Sequence, residues 1–195
     1  MSQTLSRSEI QNWMFRLLAL AVLFLSPAAM PARSSTVISA PPGFMELCFR
    51  NASLCQHSQT SSVPKAMLEQ INTTNLRVNQ GIVPRNLKAS PYQTIADGSD
   101  WQTLAPGATG DCKDYALTKL FLLSWSGVPM GAMKLAIVHV PGSPRDQNHA
   151  VLVVHVENDF LVLDNLNNQL VSLSHLPYQL LALQDPGSQA WTALD

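Results

Sequence analysis

Ten residues constrain this chain more than any others: Gly110-Asp111-Cys112-Lys113-Asp114-Tyr115-Ala116-Leu117-Thr118-Lys119. A glycine and an acid precede a cysteine, and a strongly apolar run follows: Leu117, Leu120, Phe121, Leu122, Leu123 and Trp125. Asp111 suits an N-cap, Asp114 stands three residues on as in a capping box, and Gly127 with Pro129 marks the stop. Cys112 therefore falls in the first turn of a buried helix. There the free backbone N–H groups and the positive end of the dipole stabilise a thiolate. A lone cysteine is most often just a small buried apolar side chain. Two downstream residues argue for more, because His149 and Asp164 each stand at the edge of a strand-like run. Cysteine, histidine and a carboxylate, in that order, are the parts of a nucleophilic triad.

A chain of 195 residues is long enough for one domain with a real core. Charged residues make up 13% and the net charge is −1, so no basic patch argues for a nucleic-acid partner. The N-terminus reads as a targeting segment. Arg7 and Arg16 precede the apolar run 17–25, and small residues follow through Ala32. That order is the one a secretory signal peptide shows, with cleavage between Ala29 and Ala32. The run is shorter than the roughly 20 residues of a spanning helix, which disfavours an uncleaved anchor. The expected division is a signal peptide over 1–32, a Ser- and Pro-containing linker over 33–42 and a domain over 43–195.

Export to an oxidising compartment changes how the cysteines read. Cys48 and Cys55 would tend to pair, which leaves Cys112 single. Zinc is a poor alternative, since no second cysteine or histidine stands close to Cys112 in sequence.

Pro42-Gly43-Phe44 opens a short helical piece carrying Cys48, and Ser62-Val63-Pro64 starts a helix with Met67, Leu68 and Ile71 on one face. Prolines and glycines break any period over 83–109, where Trp101 either lines a cleft or packs the loop onto the body. Beyond the cysteine helix the period changes to two. Strands are expected over Lys134–Val140, His149–Val154, Phe160–Asp164 and Gln169–Leu173. The second and third of these are apolar on both faces and should lie centrally in the sheet. From His175 onward little pattern remains, and the segment is expected to wrap the body. A nucleophile helix packed on an antiparallel sheet that carries the base is α+β architecture.

Hairpin register decides whether the triad can form. A two-residue turn at Asn158-Asp159 sets Asp164 opposite Val153, roughly 13 Å along the strand from His149. A four-residue loop over His155–Asn158 sets Asp164 directly opposite His149, and this longer loop is the expectation. His149 would then take the thiol proton while Asp164 orients the imidazole. His139, His155 and His175 have no such partners and read as surface or packing histidines.

These residues resemble the bacterial transglutaminase-like cysteine protease family, a branch of the papain-like superfamily. The resemblance lies in Gly110-Asp111-Cys112-Lys113-Asp114-Tyr115-Ala116, His149-Ala150-Val151-Leu152 and Leu163-Asp164-Asn165, three motifs in the family's order. It implies a papain/transglutaminase-like fold and a cysteine endopeptidase with Cys112, His149 and Asp164 as catalytic residues. LapG-type members are periplasmic, cut a large surface adhesin near its N-terminus and are restrained by an inner-membrane receptor for cyclic di-GMP. A periplasmic location, an adhesin substrate and such a receptor partner are therefore what the resemblance implies. Acidic residues on both sides of the cysteine are associated with calcium in those members. Here Asp111 is retained as a calcium candidate, whereas Lys113 stands where a glutamate is common. A fixed cation beside a carboxylate works against a hard divalent ion, so the expectation is that no cofactor is required.

Two other functions compete. The same triad serves an acyl transferase or cell-wall amidase, because fold and triad do not fix the acceptor. A secreted binding module without turnover is the non-enzyme alternative, and the complete set of three residues argues against it.

Overall fold

The computed structural model describes residues 35–56, 58–85, 101–144 and 148–194. The expected signal peptide lies outside them. Nine strands, β1 (Ser35–Ile38), β2 (Val83–Pro84), β3 (Thr109–Gly110), β4 (Met133–His139), β5 (His149–Val156), β6 (Asp159–Leu163), β7 (Val171–Ser172), β8 (Gln179–Gln184) and β9 (Trp191–Leu194), are found among the described residues. The helices are α1 (Phe44–Arg50), α2 (Leu68–Gly81) and α3 (Cys112–Trp125), with short 3-10 turns between elements. Seven strands make one antiparallel sheet in the order β1-β9-β8-β4-β5-β6-β7, while β2 and β3 form a small parallel pair. Mixed helices and an antiparallel sheet, with the Cys112 helix packed on β5, are the expected α+β architecture.

Both faces of the sheet are covered. Ala150, Leu152, Val154 and Leu163 share one core with Ala116, Leu117, Leu120 and Leu123 of α3. Val151, Val153 and Val162 share the other with Ala136 and Val138 of β4, under Leu173, Leu176 and Leu183. A strand buried on both sides must be apolar throughout, which is why β5 reads as a continuous run rather than an alternation. It lies inside the sheet between β4 and β6, as expected. β6 has only the two-residue β7 outside it, and Phe160 at its start is exposed.

Three sequence readings need correction. Ser35–Ile38 falls inside the expected linker but pairs with β9 as an edge strand, through backbone bonds that its exposed side chains do not announce. The segment after His175 does not merely wrap the body, since β8 pairs with β4 and β9 pairs with β8. β8 is Gln-Leu-Leu-Ala-Leu-Gln, whose apolar block shows no period of two, and its register shifts between Ile137 and Val138. The hairpin between β5 and β6 is also tighter than expected. Val156 pairs with Asp159, so the turn is Glu157-Asn158, with Glu157 at φ 52°. A two-residue turn of this kind needs positive φ and follows the twist of the strands.

Ahead of the sheet, Cys48 and Cys55 form a disulfide with Cα atoms 5.5 Å apart. Trp101 is fully buried. Its ring meets Phe44 edge-on at 5.3 Å and lies 6.2 Å from Trp191, so it pins the segment leading to α3 onto the body.

Candidate active site

α3 begins as its sequence dictates. Asp114 accepts the Asp111 N–H at 3.2 Å, closing the capping box, and the same carboxylate accepts the Gln102 N–H at 3.1 Å. Arg85 approaches it at 3.7 Å. Burial and the neighbouring Asp111 nevertheless push the Asp114 carboxyl above the usual range. One side chain thus ties the helix start to the two segments before it. Cys112, the first residue of α3, is 1% exposed.

His149 is the first residue of β5 and Asp164 the first after β6. Their side chains meet, with His149 Nε2 2.7 Å from Asp164 Oδ1 and the histidine 0% exposed. Asp164 is held on every side. Its Oδ1 also accepts the Leu166 N–H at 2.9 Å, its Oδ2 accepts the Tyr178 hydroxyl at 2.6 Å, and its carbonyl accepts Asn79 Nδ2 at 2.8 Å. The Tyr178 ring stands edge-on to His149 at 6.4 Å.

Burial opposes charge on the imidazole. Hydrogen bonds with Asp164 and Cys112, and the charges of both, outweigh it and raise His149 to about 9. Burial likewise works against the Asp164 carboxylate, and the hydrogen bond and charge of His149 outweigh it, so Asp164 falls below its ordinary value. Cysteine, imidazole and carboxylate therefore stand in series, with the ring engaged from both sides. A thiol beside an imidazole that a carboxylate orients can deliver a nucleophilic sulfur to an acyl carbon.

Asp111, the calcium candidate, is buried. Its Oδ2 lies 2.5 Å from Lys113 Nζ, and its Oδ1 has no hydrogen-bond partner among the described residues. No group of three or more His, Cys, Asp or Glu side chains placed to hold a metal occurs among those residues.

His139 and His155 make local contacts away from His149 and Asp164. His155 donates from Nδ1 to Ser61 O at 2.9 Å and stacks on Phe160 at 4.5 Å, and His139 Nδ1 lies 3.4 Å from Ser143 Oγ. Sequence reading missed Asn79, Lys119 and Tyr178. Lys119 did carry a signal, being a lysine within an apolar helix run seven residues after the cysteine. Nothing local marked Asn79 or Tyr178, whose roles depend on long-range contacts.

A search of curated proteins finds no significant match. Among solved structures the chain is similar to LapG of Legionella pneumophila, at 23% identity, with 68% of this chain and 67% of that chain covered and a TM-score of 0.44. An EGTA-treated LapG is matched at the same identity and TM-score, with 66% of that chain covered. A calcium-bound LapG is matched at 23% identity and TM-score 0.45, with 68% of each chain covered. The expectation that no cofactor is required does not stand beside these structures, one of which holds calcium while another was treated with its chelator. That expectation generalised from Lys113 alone, and a single cation beside Asp111 says nothing about oxygen ligands elsewhere. The sequence profile of the bacterial transglutaminase-like cysteine proteinases matches residues 34–195. The match takes in every element described above, and the chain belongs to that family of cysteine peptidases.

Proposed function

We propose that the peptidase works through Cys112, His149 and Asp164 by way of a thioester acyl-enzyme. The observation that carries this reading is the 2.7 Å contact between His149 Nε2 and Asp164 Oδ1, on a ring that Cys112 also engages. With Nε2–H committed to Asp164, Nδ1 is the nitrogen that takes the thiol proton. The sulfur then attacks the scissile carbonyl carbon, and the Cys112 N–H, free at the helix start, receives the oxyanion. Collapse breaks the C–N bond as His149 returns its proton to the leaving amine, and a thioester remains. A water molecule gives a proton to His149 and attacks the thioester. The C–S bond breaks, the acid is released and the thiol regains its proton.

The substrate we infer is a protein outside the cytoplasm, with a surface adhesin cut near its N-terminus as the specific case. Support for export comes from the basic start, the apolar run 17–25 and the Cys48–Cys55 disulfide. No helix of the described residues is long and apolar enough to cross a membrane. An inner-membrane regulatory receptor belongs to the same reading and rests on family resemblance.

The test incubates the purified chain and its Cys112→Ala variant with envelope proteins in H2(18)O and reads new termini by mass spectrometry. New C-termini carrying the heavy oxygen, made only by the wild type, are expected. Cleavage that survives in Cys112→Ala overturns the triad. Products joined to a second amine without heavy oxygen make the enzyme an acyl transferase.

A further inference from the structure

Lys119 is 0% exposed, and its ammonium has no hydrogen-bond partner among the described residues. A buried amine without a partner weakens a fold, and packing does not explain it, since methionine would fill the same space. Lys119 follows Cys112 by seven residues, close to two helical turns, so both project from one side of α3. The charge that acts on it is the carboxylate of Asp164.

We propose that Lys119 is a positioning residue, whose ammonium competes with the His149 imidazole for Asp164 and so sets how firmly the base is held. This inference rests on the triad reading above. Asp164 already serves the His149 ring, the Leu166 N–H and the Tyr178 hydroxyl. A further positive charge in the same low-dielectric site stabilises the carboxylate but disfavours the imidazolium beside it. Burial brings Lys119 down to about 7 against the pull of Asp164, so the competition changes near neutral pH.

Among the described residues, the other titratable groups that act on this carboxylate are His149 from β5 and Tyr178 ahead of β8, and Cys112 from α3 acts on His149 in turn. From α2 come only amides: Asn79 bonds the Asp164 carbonyl, and Asn75 bonds the carbonyl of Asn168. Arg77 of α2 instead lines a cavity with Phe121 and Leu122.

The experiment follows alkylation of Cys112 by iodoacetamide in the full chain from pH 5.5 to 9. The wild type should show a step in rate near pH 7. Lys119→Met, nearly isosteric and neutral, should abolish the step and raise the rate at pH 6 on the order of three- to tenfold, a pKa unit of interaction or less. Lys119→Gln is the second neutral variant, and Lys119→Arg, charged throughout, should lose the rise above pH 7. Met and Gln profiles that superimpose on the wild type overturn the proposal. His149→Ala separates the two ideas. If it leaves alkylation unchanged, the triad reading itself has failed; if it suppresses alkylation while the neutral Lys119 variants match wild type, only the Lys119 role has.

Discussion

Asp164 reaches His149 diagonally across the β5–β6 ladder. Leu152 pairs with Leu163, so Asp164, one residue on, comes level with Val151 rather than with His149. A displacement of two residues is about 7 Å along a strand, and diagonal neighbours on one face remain within reach of longer side chains. The 2.7 Å contact is that reach made real. The tight Glu157-Asn158 turn therefore sets the spacing of His149 and Asp164.

Cys112→Ala should fold normally and lose peptidase activity altogether, because the small side chain fits a helix start. His149→Ala should lower kcat/KM by on the order of 10² to 10⁴. Asp164→Asn should be milder, about tenfold, since a carboxamide can accept from His149 and Leu166 while donating to the Tyr178 oxygen. Steady-state kinetics on one peptide substrate rank the three. A loss in Asp164→Asn as large as in His149→Ala would contradict an orienting role.

Tyr178→Phe removes the donor to Asp164 Oδ2 and leaves that oxygen buried without a partner. The expected cost is about 1–3 kcal/mol in denaturant unfolding, with a fall in kcat rather than a rise in KM. Unchanged stability and kcat would make the 2.6 Å contact incidental.

His149 and Lys119 act oppositely on stability as pH changes. His149 is held at about 9 against 6.5 when unfolded, so its contribution is complete below pH 6.5 and lost as pH rises through 9. Lys119 is held at about 7 against 10.5, so the folded chain binds fewer protons and its penalty fades as pH rises from 7. Lys119→Met should therefore be more stable than the wild type at pH 6 and lose stability more steeply between pH 7 and 9. Urea unfolding at pH 6, 7, 8 and 9 reads both effects, and parallel curves would refute them.

Lys113→Ala leaves the Asp111 carboxylate buried without its ammonium. Breaking a buried pair in this way costs about 3–5 kcal/mol, which thermal unfolding at pH 7 would register as a large fall in Tm. Lys113→Arg should recover part of it. A neutral effect in Lys113→Ala would mean that water reaches Asp111.

Local chemistry made the Cys112 helix legible. Asp111, Asp114, Gly127 and the apolar run between them each speak within a few residues, and α3 starts and stops where they say. β5 was equally plain, because burial on both faces demands an apolar run. The hairpin was not legible, since Glu157 adopts positive φ without being glycine or asparagine. Nor were β1, β8 and β9, whose pairing joins the two ends of the domain through backbone bonds that leave no period in sequence. The partners of Asp164 were hidden for the same reason, because Asn79 and Tyr178 meet it from segments far apart in sequence.

The Cys48–Cys55 bridge has a consequence for where the enzyme is sound. It ties α1 to the turn after it, and α1 carries Phe44, packed against Trp101 and Trp191, and Arg50, which donates to the Trp101 carbonyl at 3.3 Å. A bridge across so short a loop is worth about 2–3 kcal/mol in chain entropy. With thiols in its place, the indole that anchors the approach to α3 rests on a looser support. Glutathione would thus hold newly made chains in a softened form, and the first oxidant they meet would harden them. On the proposed export route, the support under Trp101 would stiffen with the change of redox surroundings.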